Sequence, residues 1–363
     1  MSHFTATNQA LCPPDINHAP GPEYGAAARR WQGIPGIERA GNGRLWATWY
    51  SGGDGEGPYN FVLLITSADD GRTWSAPVLV IDPPGEVRAY DPCLWRDPLG
   101  RLWLCWAQSE GLYDGRAGVW AIRCDDPASP APTWTAPRRL TNGVMMNKPT
   151  VLSTGEWLLP AAVWHREPFR PDMDGERCSN VLCSCDRGET WTLLGGADVP
   201  DRSFDEHMVV ERRDGSLWML VRTRAGIGES ISNDRGRTWS PGRDGVLPGP
   251  CSRFFIRRLH SGRLLLVNHH RFTGRNNLTA FLSADDGQTW QGGLLLDERD
   301  HVSYPDGVQA EDGRIYLIYD RERYAAKEIL LAVFTEDDVL AGRPVSGAAR
   351  LRVLVNRAGE NAE

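Results

Sequence analysis

No stretch of the 363-residue chain approaches the roughly 18 unbroken apolar residues that a membrane-spanning helix requires. No block of basic residues occurs either. With 40 Lys and Arg against 47 Asp and Glu the formal charge is −7, a balance that argues against nucleic acid as the main partner. The opening residues 1–25 have neither a basic start nor an apolar core, so no export signal is visible and a cytoplasmic location is expected. The eight cysteines (12, 93, 105, 124, 178, 183, 185 and 251) are then read as reduced thiols. Cys178, Cys183 and Cys185 lack a histidine at zinc spacing, so no metal site is expected. The chain has no P-loop, dinucleotide glycine motif, His-Glu-x-x-His or serine elbow, and no cofactor is expected. It also lacks any long amphipathic helical stretch. Thr335-Glu-Asp-Asp-Val-Leu alone reads as one capped helical turn.

What is abundant is turn chemistry: 39 Gly, 25 Pro and 15 Trp point to many short strands. Ser-x-Asp-x-Gly-x-Thr-Trp occurs four times, starting at Ser67, Ser184, Ser232 and Ser283, with a degraded copy from Cys124 to Trp134. A second signature, a Gly and a polar residue followed by an apolar run, recurs at Gly43, Gly100, Gly155, Gly215, Gly262 and Gly313. Both repeat about every 50 residues, and they are out of phase with one another. Asp and Gly suit a tight hairpin turn, and the closing Trp supplies an apolar body to pack between strands. The pattern predicts an all-β chain, a six-bladed β-propeller over residues 31–363 preceded by an extended lead-in over 1–30. The run Leu351 to Val355 is expected to join the first or last blade.

With these boxes on such a scaffold, residues 31–345 resemble the sialidase (neuraminidase) superfamily. The boxes specify fold and say nothing of chemistry, so the functional reading rests on four further segments. The resemblance of Asp205-Glu-His-Met-Val-Val-Glu-Arg implies that Glu206 activates the nucleophile and that Arg222, at the end of the next strand, binds a substrate carboxylate. Arg275, eight residues before a box, matches a second carboxylate-binding arginine. Val302-Ser-Tyr304-Pro-Asp-Gly stands where the family has its nucleophilic tyrosine. Asp54 lies where the family keeps its acid/base aspartate, with Glu56 of the same glycine-rich loop as an alternative. The pattern departs at Trp31-Gln-Gly33-Ile-Pro, where Gly33 occupies the place of the family's first arginine. Arg88 and Lys148 are then cations that other blades could supply to the pocket, and His270 could line it.

Those residue types make chemical sense together. A carboxylate on the anomeric carbon repels an anionic nucleophile, whereas a neutral phenol beside a general base avoids the repulsion. The forked donors of arginine match a planar carboxylate. The resemblance therefore implies an exo-acting glycoside hydrolase of sialidase type, retaining, acting on a terminal acidic or unusual sugar. Two alternatives stay open: elimination at a uronate-containing glycoside in the same pocket, and a non-catalytic carbohydrate-binding propeller. Each residue also has a bland reading. Glu206 would be a strand-end carboxylate in a surface ion pair, and Arg222 and Arg275 solvated edge charges. Tyr304 would be a turn residue, and His207, His269 and His270 hydrogen-bonded structural imidazoles.

Overall fold

The computed structural model describes residues 8–359. The first seven residues of the expected lead-in and the last four of the expected propeller segment lie outside them. Six antiparallel sheets follow one another along the chain, the first of five strands and the others of four, each built from consecutive strands. Blade 1 is Gln32–Arg39, Leu45–Ser51, Phe61–Ser67 and Leu79–Ile81. Blades 2 to 6 open with the strands beginning at Val87, Thr150, Met208, Phe255 and Val302. The lead-in is tied to blade 1: Ile16–Asn17 pairs with Leu79–Ile81 as a fifth strand, between short 3-10 turns. At the other end Arg350–Arg357 pairs with Glu328–Phe334 and completes blade 6.

The two sequence signatures mark the two kinds of hairpin. The six glycines of the second signature all lie between the first and second strands with φ of 82° to 100°. Each closes the same backbone loop; Gly313, for example, donates to the Ala310 carbonyl at 2.9 Å. A left-handed conformation of this kind is cheap for glycine and strained for other residues. The Ser-x-Asp-x-Gly-x-Thr-Trp turns join the third and fourth strands of four blades. In each of them the serine hydroxyl donates to the aspartate at 2.8 Å. The threonine hydroxyl and amide also donate to that carboxylate. Those threonine bonds are the main reason Asp186, Asp234 and Asp285 are held down to about 2.

The turns also wedge the blades together. A β-carbon at Gly287 would sit 2.4 Å from Trp218 of the preceding blade, so the box glycine permits that close approach. Trp74, Trp134, Trp191, Trp239 and Trp290 each pack on a different one of the five apolar clusters that fill the ring. Middle strands such as Leu45–Ser51 are buried on both faces, which explains their nearly unbroken apolar sequence. Blade 6 has no box. Its third and fourth strands are joined by the helix Glu336–Ala341, capped reciprocally by Thr335 and Asp338 as the sequence predicts.

A buried polar plug crosses the axis and fixes the inner strands to one another. Lys148 donates to the carbonyls of Ile37 and Leu94, both at 2.6 Å, and pairs with Glu38 and Asp306. Arg253 reaches Asn147 Oδ1 at 2.7 Å, the Met146 carbonyl at 3.0 Å and Asp306 at 3.4 Å. Asn147 in turn donates to the Glu206 carbonyl at 2.8 Å. Buried charges are tolerated only when paired and hydrogen-bonded, and these are. The plug thus anchors the backbone of Glu206 and the strand that carries Tyr304.

Candidate active site

Three inner strands carry the same irregularity. Register slips by one residue at Ile34-Pro35 in blade 1, at Asp91-Pro92 in blade 2 and at Tyr304-Pro305 in blade 6. In each case the residue before proline has positive φ: 60° at Ile34, 48° at Asp91 and 56° at Tyr304. Proline bars its predecessor from the right-handed helical region, and a bulge re-aims the side chain it carries. Such strain, about 1–3 kcal/mol per residue, is characteristic of functional sites. Glu206 shares it, with φ of 45°.

The re-aimed side chains converge. The Tyr304 hydroxyl donates to Glu206 Oε1 at 3.3 Å, and Arg222 Nη1 donates to that carboxylate at 2.5 Å and to the phenol oxygen at 3.3 Å. All three residues are at least 95% buried. Glu206 Oε2 has no hydrogen-bond partner among the described residues. Burial, and after it Glu206, holds the Tyr304 phenol above its ordinary value against the pull of Arg222, Arg323 and Arg275. The phenol is therefore protonated near neutrality and needs a base to become a nucleophile. Arg275 comes from the turn before Leu278–Ser283. It is held by the Cys251 carbonyl at 2.9 Å, and its guanidinium lies 5.5 Å from the Tyr304 ring centroid. The bland readings of Glu206, Arg222 and Tyr304 thus differ from their places. They are buried together, and Tyr304 lies within the strand Val302–Gln309 instead of a turn.

Four expected site residues lie elsewhere or act differently. Lys148 does not line the pocket. Its side chain is 2% exposed, and its donors are spent in the axial plug. His270 is exposed and packs edge-on against Phe281, while its neighbour His269 is buried and bonded to the Asn276 carbonyl at 2.8 Å. Alternation along the strand sends the two to opposite sides. His207 is likewise structural, bonded to the Asn180 carbonyl at 2.7 Å. Asp54 is 77% exposed and pairs with Arg30, so it is not brought to Tyr304. Glu56, two residues on, reaches inward to Arg323 at 2.7 Å. Arg88 is buried and stacked on Tyr90 at 3.6 Å, with Asn60 Oδ1 at 3.5 Å.

Two residues at the site escape a reading of the sequence. Arg323, in the turn after Ile315–Arg321, lies 4.9 Å from the Tyr304 ring centroid. Asp91 is buried near Arg88, and burial raises its carboxyl to about 8. A signal for Asp91 exists: Ile34-Pro35, Asp91-Pro92 and Tyr304-Pro305 are in phase relative to the following signature glycine, nine residues after each. Arg323 has no such mark. It is one of two arginines in a short polar segment, Arg321-Glu-Arg-Tyr324.

Residues 43–317 match the family described as the BNR repeat-like domain. Among curated relatives, a sialidase of Bacteroides fragilis is 24% identical over 84% of this chain, which spans 62% of that relative's length. A sialidase of Paraclostridium sordellii is 28% identical over 57% of this chain and 56% of its own length. Among solved structures, a Hadza microbial sialidase superposes with a TM-score of 0.68 at 21% identity, covering 87% of this chain and 69% of its own. A protein of unknown function from Dyadobacter fermentans gives 0.65 at 19%, covering 83% and 93%. At such identities the superpositions establish fold alone. On the matched span and the six-bladed architecture, the chain belongs to the BNR repeat-like family as a sialidase-like propeller.

Proposed function

We propose that the chain is an exo-acting glycoside hydrolase that removes a terminal sugar bearing an anionic group, with retention, through Tyr304. The observation that carries this is the buried contact of Tyr304, Glu206 and Arg222. In the first step Glu206 takes the phenolic proton and the Tyr304 oxygen bonds to the anomeric carbon. The glycosidic C–O bond breaks, and its oxygen takes a proton from a carboxyl of the 52–60 loop. Of the two acids there, Glu56 is the one in contact with the cluster. In the second step that carboxylate removes a proton from water, the water oxygen bonds to the anomeric carbon, and the phenolate leaves and recovers its proton from Glu206. Arg222 and Arg275 face the sugar's anionic group, and a neutral nucleophile is the type such a substrate requires. The curated relatives named above are sialidases, and bringing that activity to this chain is part of the proposal. A binding module would have no need of a base set against a buried phenol.

The test is turnover. Aryl glycosides of nonulosonic and uronic acids are incubated with purified protein and with the Tyr304→Phe and Glu206→Gln variants. A saturated free sugar, lost in both variants, supports the assignment. An unsaturated product absorbing in the ultraviolet replaces it with elimination, and the absence of any product across the panel points to the binding module.

A further inference from the structure

Arg323 approaches Tyr304 through space that only a glycine leaves. A β-carbon built on Gly33 would lie 2.2 Å from Arg323 Cδ, 2.7 Å from its Cγ and 3.0 Å from Asp320 Oδ2. No side chain at position 33 coexists with Arg323 where it stands. The arginine is seated from behind by Asp320, 3.8 Å from its Nε. Asp320 is itself fully buried and accepts from the Ile34 amide at 2.8 Å and the Ser303 hydroxyl at 3.0 Å. That aspartate therefore ties the bulges of blades 1 and 6 and aims the guanidinium at the same time. In front, Arg323 lies over the Tyr304 ring, 4.9 Å from its centroid, while Arg275 lies 5.5 Å from that centroid. Arg222 meets the hydroxyl.

The partners of the three arginines differ in kind. Arg222 is committed to the buried Glu206, and Arg275 donates to a backbone carbonyl. Arg323 Nη1 instead holds Glu56, a loop carboxylate whose side chain is 33% exposed. A partly exposed carboxylate on a guanidinium that faces the reacting phenol stands where a ligand's own carboxylate would bind. We propose that Arg323 is the third arginine of the anion-binding wall, admitted by Gly33, and that Glu56 occupies its ligand position until a sugar carboxylate displaces it. Displacement frees the loop acid at the moment the substrate's anionic group is seated. This rests on the proposed function and deepens it: the substrate class becomes sugars whose carboxylate is set close to the reacting carbon, and a neutral isostere forgoes the Arg323 contact.

The experiment compares a 2,3-unsaturated nonulosonic acid with its methyl ester by calorimetry, on the whole chain. Wild type is expected to prefer the acid. Arg323→Gln should cut the ratio of acid to ester affinity about 10- to 100-fold, the usual weight of hydrogen bonds to a charged group. Arg323→Lys should recover part of that loss. Gly33→Ala, which displaces the arginine while keeping it in the chain, should lower the ratio in the same sense. Glu56→Gln should raise acid affinity roughly three- to tenfold by removing the competitor. The ratio is insensitive to general loosening, and cooperative melting of each variant is recorded alongside. An unchanged ratio in Arg323→Gln, with wild-type preference intact and lost in Arg222→Lys, overturns this inference alone. A wild type with no preference for the acid overturns both it and the proposed function.

Discussion

The Tyr304 hydroxyl and Glu206 Oε1, 98 residues apart in the chain, lie 3.3 Å from each other in the buried centre of the ring. Both residues hold left-handed backbone conformations, so the contact is maintained against local strain. Removing either group should therefore act on the chemical step. Tyr304→Phe and Glu206→Gln are each expected to lower kcat by about 10²–10⁴-fold, the range of a lost general base. The double variant should fall little below the worse single one, because the two groups act as a unit. Steady-state kinetics on an aryl glycoside checks this, and losses that simply multiply would show the residues acting separately.

Lys148 is expected to matter for folding and not for substrate. Replacing it with Met leaves Glu38 buried without its cation and Asp306 with Arg253 alone, and breaking a buried pair costs about 3–5 kcal/mol. Urea unfolding should record that loss. KM of the surviving folded protein should stay within twofold of wild type, and a large KM effect would return Lys148 to the pocket.

Three of the hairpin aspartates give stability a defined acid limb. Held at about 2 in the folded chain against an ordinary 3.8, Asp186, Asp234 and Asp285 favour the folded state above pH 4. That contribution is lost as pH falls from about 4 to about 2. Replacing all three by Asn should flatten the dependence of unfolding midpoint on pH over that interval, with little change in its slope above pH 5.

Asp91 acts in the opposite direction. Its folded value of about 8 means that the folded chain keeps a proton that the unfolded chain sheds near pH 4. Stability therefore declines from pH 4 toward pH 8 on its account. Asn suits both the buried site and the positive φ, so Asp91→Asn should melt above wild type at pH 8 and level with it at pH 4. Melting curves at pH 4, 6 and 8 decide the matter.

The scaffold was legible because its information is local and repeated. A glycine at positive φ, an aspartate gathering serine and threonine donors, and a threonine-capped turn each leave a mark within eight residues. Tyr304, Glu206, Arg222 and Arg275 were legible only through motif resemblance, and the site brings these four together. What the sequence hid depends on register. One extra residue at Tyr304-Pro305 turns an apparent loop into a strand that points a phenol at the axis. Lys148 looked like a pocket cation because it leads into blade 3. Its long stem instead carries the ammonium to backbone carbonyls of two other blades. Arg323 was invisible because its meaning lies in Gly33, 290 residues earlier, where the informative fact is a missing side chain.

No sheet mixes strands from the two ends of the described chain, so blades 1 and 6 meet without a shared β-ladder. Their junction is held by side chains and single amides: Gln32 to the Lys327 carbonyl, the Ile34 amide to Asp320, and Gly359 to Ala26. Gly33, Glu56, Tyr304 and Arg323 all belong to that junction. A ligand held between those residues would thus act as a clasp across the joint of the first and last blades, and its binding would raise the stability of the folded ring.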